Sequence, residues 1–464
     1  MSSIAEQSHQ NQVKPLMWPE MTAYCLGFGS NTFINMMYGT YLTKFWTDIM
    51  ILPLAAITTI MIISRIFDGV TDIYVGFMVE RTKSGYGKAR PWLLWMALPG
   101  LISLSALFFV PGFKGIALII CAFITYNCVT FFISTALTIP ITSLLSMITG
   151  DPDKQVKMNM RGMGVCTFLM VLGNWYIIRI IEWMGGDSQG YWRFFTLIAL
   201  ITMSMHILTF WGTRERIVQS EAGRAEKVSI MEVLKYCLIN KWFIVVMVFT
   251  VFMMLYPAFM GINPFYMDHI MKNPELIGPY MSVVYIALLI TLFGAAPIVP
   301  RIGKINAAFA GMFMQIVGNL LPLADTGSVS LLMAAAVLRG AGPALLLGIN
   351  LTFLCDVADY GEWKTGKRFE GIVFAGSSMG GKIGLGLGGA IVSAMLDYGG
   401  YVGGAVAQSQ SALDAITVTF TWWYSLGSVA CTIILFFLRR LDRQMPKIRA
   451  DLEARRTATV SKGS

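Results

Sequence analysis

Apolar runs that can each cross a bilayer as a helix of about 20 residues recur near 22–46, 52–79, 92–111, 115–147, 162–184 and 193–212. A second series follows near 242–268, 276–299, 305–324, 328–355, 370–398 and 415–438. Short polar connections separate the runs. The pattern predicts an all-α polytopic membrane protein of twelve spans in two sets of six. The longest polar stretch, 213–241, lies between the sets. We therefore read an N-terminal half over 1–212, a central cytoplasmic loop over 213–241, and a C-terminal half with a cytoplasmic tail over 242–464.

Composition agrees with this reading. Of 464 residues 56% are hydrophobic and 13% charged, too few polar groups to cover a soluble globule of this size. A net charge of +9 would suit nucleic acid, but most of the basic residues sit in alternate short loops. Arg81, Lys83, Lys88 and Arg90 follow the second run, Lys154 and Lys157 the fourth, Arg301 and Lys304 the eighth, and Lys364, Lys367 and Arg368 the tenth. The other connections hold only Lys114, Arg193 and Lys272. Lysine and arginine collect on the cytoplasmic side, so both termini are expected there, in an inner membrane. The first 17 residues lack the apolar core and cleavage site of a signal peptide. The seven cysteines show no paired spacing and read as thiols. His9, His206 and His269 are far apart, and no phosphate-binding GxxxxGK[ST] occurs. No enzyme, cofactor, nucleic acid or resident metal is expected.

The second run carries Arg65, Asp68 and Asp72 at i, i+3 and i+7, on one stripe of a helix. A carboxylate at bilayer depth costs roughly 3 kcal/mol, so two of them call for a cation, a proton or a basic partner. Two carboxylates suit a hard cation such as Na⁺; an ion pair with Arg65 is the competing reading. Thr135, Thr138 and Pro140 lie together in the fourth run. A proline frees a backbone carbonyl one turn back, and such broken helices often line a cavity, although helix packing also uses threonine. Lys382 sits among glycines deep in the eleventh run and Arg161 near the start of the fifth. Both are candidate donors to an anion or a hydroxyl, Lys382 alternatively a partner of Asp68 or Asp72, and Arg161 alternatively a surface residue. Arg179 and Arg339 also fall within apolar runs, and the sequence assigns them no role. Segment 356–371 mixes Asp356, Asp359, Glu362 and Glu370 with Lys364, Lys367 and Arg368. With Glu80, Arg81 and Arg90 of the first basic loop, these residues are candidates for a cytoplasmic ionic latch, or for plain solvated charge.

RIFDGVTDIYVGFMVERTKSGYGKARPW, TIPITSL and DVADYGEWKTGKRFEG followed by GGKIGLGLGGA resemble the glycoside-pentoside-hexuronide:cation symporters, the melibiose permease-like branch of the major facilitator fold. The resemblance implies cation-coupled symport of a sugar or glycoside by alternating access, with Na⁺ or H⁺, and possible use of Li⁺, as coupling ion. It implies cation ligands at Asp68, Asp72, Thr71 and Thr135. It also implies a sugar site bordered by Lys382 and Arg161, and a monomer is expected. Members that bind neutral galactosides are expected to have an aspartate in the first helix and another two residues before the fourth-helix proline. Here the second position is Thr138, and the first falls at Thr32 or, in a shifted register, Asn31. Glu80 replaces an aspartate and Gly85 an arginine of the basic loop. With two negative charges gone and Lys382 and Arg161 kept, the sequence favours an acidic glycoside such as a uronide. A neutral pentoside or hexoside, an uncoupled or lysolipid-like carrier, and a non-transporting sensor are the alternatives.

Overall fold

Buried in lipid, a backbone can satisfy its own polar groups only by winding into helices or closing into a barrel, and the apolar runs here are all helical. The computed structural model describes residues 17–149, 152–216, 240–295, 298–366, 370–405 and 407–463. Helix α1 (Trp18–Lys44) continues into a single π turn (Phe45–Ile49), and α2 (Leu54–Arg81) follows. The third run is split into α3 (Arg90–Trp95) and α4 (Ala97–Leu107). The fourth comprises α5 (Ile116–Val129), a π turn (Thr130–Thr135) and α6 (Thr138–Ile148). The fifth comprises α7 (Pro152–Trp175) and α8 (Ile177–Trp183), bent by 55° at their junction, and α9 (Asp187–Gly212) ends the set.

In the second set, α10 (Lys241–Phe259) passes through a 3₁₀ turn (Met260–Ile262) into a π turn (Tyr266–Ile270). Helices α11 (Ile277–Ala295), α12 (Lys304–Leu320), α13 (Val329–Thr365) and α14 (Glu370–Tyr398) follow. The last run is α15 (Gln410–Val418), a π turn (Thr419–Trp423) and α16 (Tyr424–Gly463). Among the described residues nine stretches are long and apolar enough to cross a membrane, or ten if the bent pair is one span. The first and third expected spans are helical but fall outside that set. Ser30, Asn31, Thr32 and Asn35 make the middle of α1 polar, and the third run breaks at Met96 into two short helices.

The contacts gather the chain into two units. One comprises Met1–Tyr38, Ile66–Leu172 and Arg179–Arg224; the other comprises Gly39–Arg65, Gly173–Ile178 and Ala225–Ser464. In the first unit, small residues bring α1 and α9 close enough for Thr209 Oγ1 to donate to the Ala23 carbonyl at 2.7 Å. Phe108 and Phe195 stack with ring centroids 3.6 Å apart. The basic loop is held by Glu215, whose carboxylate accepts from the backbone N–H groups of Lys88, Ala89 and Arg90 at 2.7, 2.8 and 2.9 Å. Gly87, at φ 110°, brings the backbone against that carboxylate in a conformation that a side chain would not tolerate.

In the second unit Gly376, Gly380, Gly384 and Gly388 recur every fourth residue along α14 and meet Phe243, Met247, Val251 and Ala258 of α10. Such a stripe lets two membrane helices approach backbone to backbone, where dispersion and close packing replace the missing hydrophobic drive. The same unit explains Arg339, which is 1% exposed. Its Nη1 donates to Tyr280 Oη at 2.7 Å and its Nη2 to the Phe420 carbonyl at 2.6 Å, while the Phe420 ring lies 3.9 Å from the guanidinium. Among the described residues no carboxylate reaches Arg339. A phenol, a carbonyl within the π turn Thr419–Trp423 and aromatic faces offset its desolvation and tie α11, α13 and the last span together.

A valine at Gly384 would overlap the Val251 carbonyl, whereas a side chain at Gly294 meets open space. Overpacking of this kind costs about 1–3 kcal/mol. Gly384→Val should lower the melting temperature and folded yield in detergent, and Gly294→Val should leave both near wild type, as read by size-exclusion fluorescence after heating.

Candidate functional site

The fourth run owes its shape to Pro140, which has no N–H to give to the carbonyl of Ala136. Upstream the helix widens into the π turn Thr130–Thr135, and Thr138 Oγ1 donates to the Ile133 carbonyl at 3.2 Å. A π turn inserts a residue and re-aims the side chains around it, which is why such turns collect at functional positions. Here it presents Thr135, which is 1% exposed. Thr135 Oγ1 donates to Asp72 Oδ1 at 2.9 Å. Asp68, one turn earlier on α2, is 4% exposed, and Asp72 is half-buried. Thr71 Oγ1 donates to the Asp68 carbonyl at 3.1 Å, so its proton is turned back onto its own helix. Two carboxylates and a threonine hydroxyl offer oxygen ligands of the kind hard cations take.

A second polar group lies on α1 and the same stretch of the fourth run. Asn31 Nδ2 donates to Thr138 Oγ1 at 2.8 Å, whereas Thr32 Oγ1 donates to the Phe28 carbonyl of its own helix at 3.0 Å. Asn31, not Thr32, therefore meets the fourth run. One and two turns further, Asn35 and Tyr38 converge on Ser134: Ser134 Oγ donates to Asn35 Oδ1, and Tyr38 Oη lies 2.8 Å from Ser134 Oγ. Among the described residues the buried Asn31 Oδ1 has no hydrogen-bond partner. These groups are neutral amides, hydroxyls and a phenol. Sequence reading missed Asn35, Tyr38 and Ser134, although Asn31, Asn35 and Tyr38 recur at i, i+4 and i+7 on one face of α1.

Other expected site residues are placed differently. Arg161 is exposed, and its guanidinium stacks on Trp18 with 4.6 Å to the ring centroid. Lys382 is half-buried on α14 in the second unit. One turn beyond it, the aliphatic stem of Arg65 lies where a side chain at Gly386 would go.

The residues expected to form the cytoplasmic latch have partners inside their own units. Arg90 Nη2 donates to the Phe210 carbonyl at 2.6 Å, and the Arg81 guanidinium lies 3.9 Å from the Phe77 ring centroid. Asp356 pairs with Lys304 and with Arg449 at 2.9 Å, and Asp359 lies 3.6 Å from Arg449. Arg449 belongs to α16, so the tail helix meets these carboxylates. Arg368 and the side chain of Glu80 lie outside the described residues.

Comparison with known proteins follows the same lines. Residues 24–443 match the family model of MFS/sugar transport proteins. The isoprimeverose transporter of Lactiplantibacillus pentosus is 30% identical, the match covering 97% of each chain. The inner membrane symporter YicJ of Escherichia coli (strain K12) is 27% identical over 87% of each chain. Among solved structures, a D-xylose-proton symporter superposes with a TM-score of 0.65 at 10% identity, covering 90% of this chain and 96% of that one, which shows a common fold.

If the Asp68, Asp72 and Thr135 oxygens hold a cation, that cation stabilises the folded protein by binding linkage. Melting curves of the purified protein across Na⁺ concentration and pH should show a cation-dependent rise. Asp72→Asn and Thr135→Val should each remove most of it, and a rise that persists in both variants places the cation elsewhere.

Proposed function

The chain belongs to the family of MFS/sugar transport proteins, and from that premise we propose that it carries a neutral glycoside together with a cation. It is a multi-pass membrane transporter and not an enzyme. In our reading it lies in an inner membrane with both termini cytoplasmic and works as a monomer. Transport proceeds by alternating access, driven by Na⁺ or a proton bound at Asp68 and Asp72 with help from Thr135. Coupling requires that sugar strengthen cation binding, and by linkage the cation then strengthens sugar binding by the same factor.

The observation that carries the sugar reading is the Asn31 carboxamide. Its Nδ2 is engaged by Thr138, while its buried Oδ1 has no partner among the described residues. A buried acceptor left unmade costs about 1–3 kcal/mol, which a sugar hydroxyl donating to it would recover. Thr138, Asn35, Ser134 and Tyr38 extend the same neutral hydrogen-bonding strip. Such a strip reads hydroxyls without asking for a charge. The relative at 30% identity carries isoprimeverose, a neutral sugar, which points the same way.

One observation favours an acidic glycoside as a second reading. Lys382 and the Arg65 stem at Gly386 bring two cationic side chains within a turn of each other along α14. A carboxylate would make charge-assisted hydrogen bonds there. The stacking of Arg161 on Trp18 already engages one of the cations that argument counts.

Uptake of labelled isoprimeverose and of methyl β-D-glucuronide into membrane vesicles, with an imposed Na⁺ or proton gradient, separates the two readings. Isoprimeverose should accumulate at least about tenfold better, because hydrogen-bonding sites discriminate strongly against ligands that leave them unpaired. Accumulation of the glucuronide alone would transfer the assignment to Lys382.

A further inference from the structure

The last turns of α1 and α10 are built alike, although the sequence gives little notice of it. FWTDIMILP (45–53) and YMDHIMKNP (266–274) both form a π turn followed by a left-handed residue and a proline. In the first, Met50 N donates to the Phe45 carbonyl at 3.0 Å and Leu52 N to the Trp46 carbonyl at 2.8 Å. In the second, Met271 N donates to the Tyr266 carbonyl and Asn273 N to the Met267 carbonyl, both at 3.0 Å. Ile51 at φ 53° and Lys272 at φ 52° make the same reversal. The repeat makes Asp48 the counterpart of His269 and Thr47 the counterpart of Asp268.

These equivalent turns meet within the second unit, with Tyr401 between them. Lys44 Nζ pairs with Asp268 and lies 3.9 Å from Asp48 Oδ2. Tyr401 Oη donates to Asp48 Oδ1 at 2.8 Å, and His269 Nε2 lies 3.0 Å from the same hydroxyl. The phenol has one proton and gives it to Asp48, so His269 is the donor in its bond to Tyr401. Burial and the adjacent Asp48 raise the Tyr401 phenol far above its usual range, which keeps that proton in place. Phe265 packs edge-on against the Tyr401 ring at 5.2 Å, and Gly403 lets the following loop lie against the Thr47 carbonyl, where a side chain would overlap it. Asp48, Asp268 and His269 bring ligand atoms within 4.8 Å of one another, but the Lys44 ammonium already supplies the positive charge there.

We propose that Lys44, Asp48, Asp268, His269 and Tyr401 form the outer gate of the carrier, closed here and broken each time the external side opens. The inference rests on the transport reading and on the basic loops being cytoplasmic, which puts the ends of α1 and α10 outside. Asn31 lies 13 residues before Lys44 on α1, roughly 20 Å deeper at 1.5 Å per residue. In this proposal a sugar bound from outside near Asn31 enters past these ends. The side chains of Lys44 and Asp48 are each 14% exposed and that of Asp268 is 32% exposed, so water can replace the broken contacts as the ends part. A gate of this kind sets the fraction of carriers open to the outside, and so the apparent affinity for external substrate.

Two measurements test it. In proteoliposomes, Lys44→Cys with Asp268→Cys is linked by a short, thiol-cleavable bis-methanethiosulfonate. Linking should cut isoprimeverose uptake at least about tenfold, and dithiothreitol should restore it; unchanged uptake in the linked protein overturns the gate. In right-side-out vesicles, Asn35→Cys is labelled by an external, membrane-impermeant maleimide, with or without Asp268→Asn or Tyr401→Phe. Either gate variant should speed labelling at least about fivefold by raising the outward-open population, and equal rates overturn the gate. The labelling needs no sugar. Failure of the wild type to move any sugar therefore rejects the transport reading, while unchanged labelling rejects the gate.

Discussion

A carboxylate in an apolar span is tolerated only when something meets its charge, and the pair at Asp68 and Asp72 places that demand at the centre of this protein. Each charge at bilayer depth costs roughly 3 kcal/mol even by the more lenient scales. Thr135 donates to Asp72, and two carboxylates beside a threonine hydroxyl offer the oxygen ligands that hard cations take. In the reading proposed above a mobile cation binds there, which makes occupancy of the site depend on ion supply and links stability to transport. Arg339 shows the static solution to the same problem. Its charge is met permanently by Tyr280, a carbonyl at Phe420 and aromatic faces, and it serves to hold helices together.

The polar chemistry is found where the helices depart from regularity. The π turn Thr130–Thr135 aims Thr135 at Asp72, and the break before Pro140 gives Thr138 a carbonyl on one side and Asn31 on the other. The π turns at the ends of α1 and α10 carry Asp48, Asp268 and His269. A regular helix uses its backbone groups internally, so irregular turns are where carbonyls become available and side chains change direction. The glycine stripe on α14 gives the complementary effect, a regular surface that allows close approach to α10.

Much of the fold was legible because apolar length is a strong signal. The breaks were less so: Pro99, which has no N–H for the Trp95 carbonyl, marks the division at Met96, but no proline lies near Tyr176 to mark that of the fifth run. Asp68 and Asp72 stood out because charges in apolar runs are rare. Asn35, Tyr38 and Ser134 did not, since neutral polar residues also serve ordinary helix contacts. Arg161, near the start of the fifth run, was open between cavity and surface on the sequence alone; a long side chain can carry its charge away from its backbone, and here it reaches Trp18. Lys44 and Asp268 pair across 224 positions, a distance that periodicity cannot bridge.

The central claim is that the carboxylates on α2 couple cation movement to sugar movement without being the sugar's own ligands. The most direct measurement compares gradient-driven accumulation with sugar exchange at equal concentrations on both sides, for wild type and Asp68→Asn in the same vesicles. The account predicts that the variant loses accumulation and retains exchange at least in part. Accumulation at the wild-type level in Asp68→Asn would contradict it.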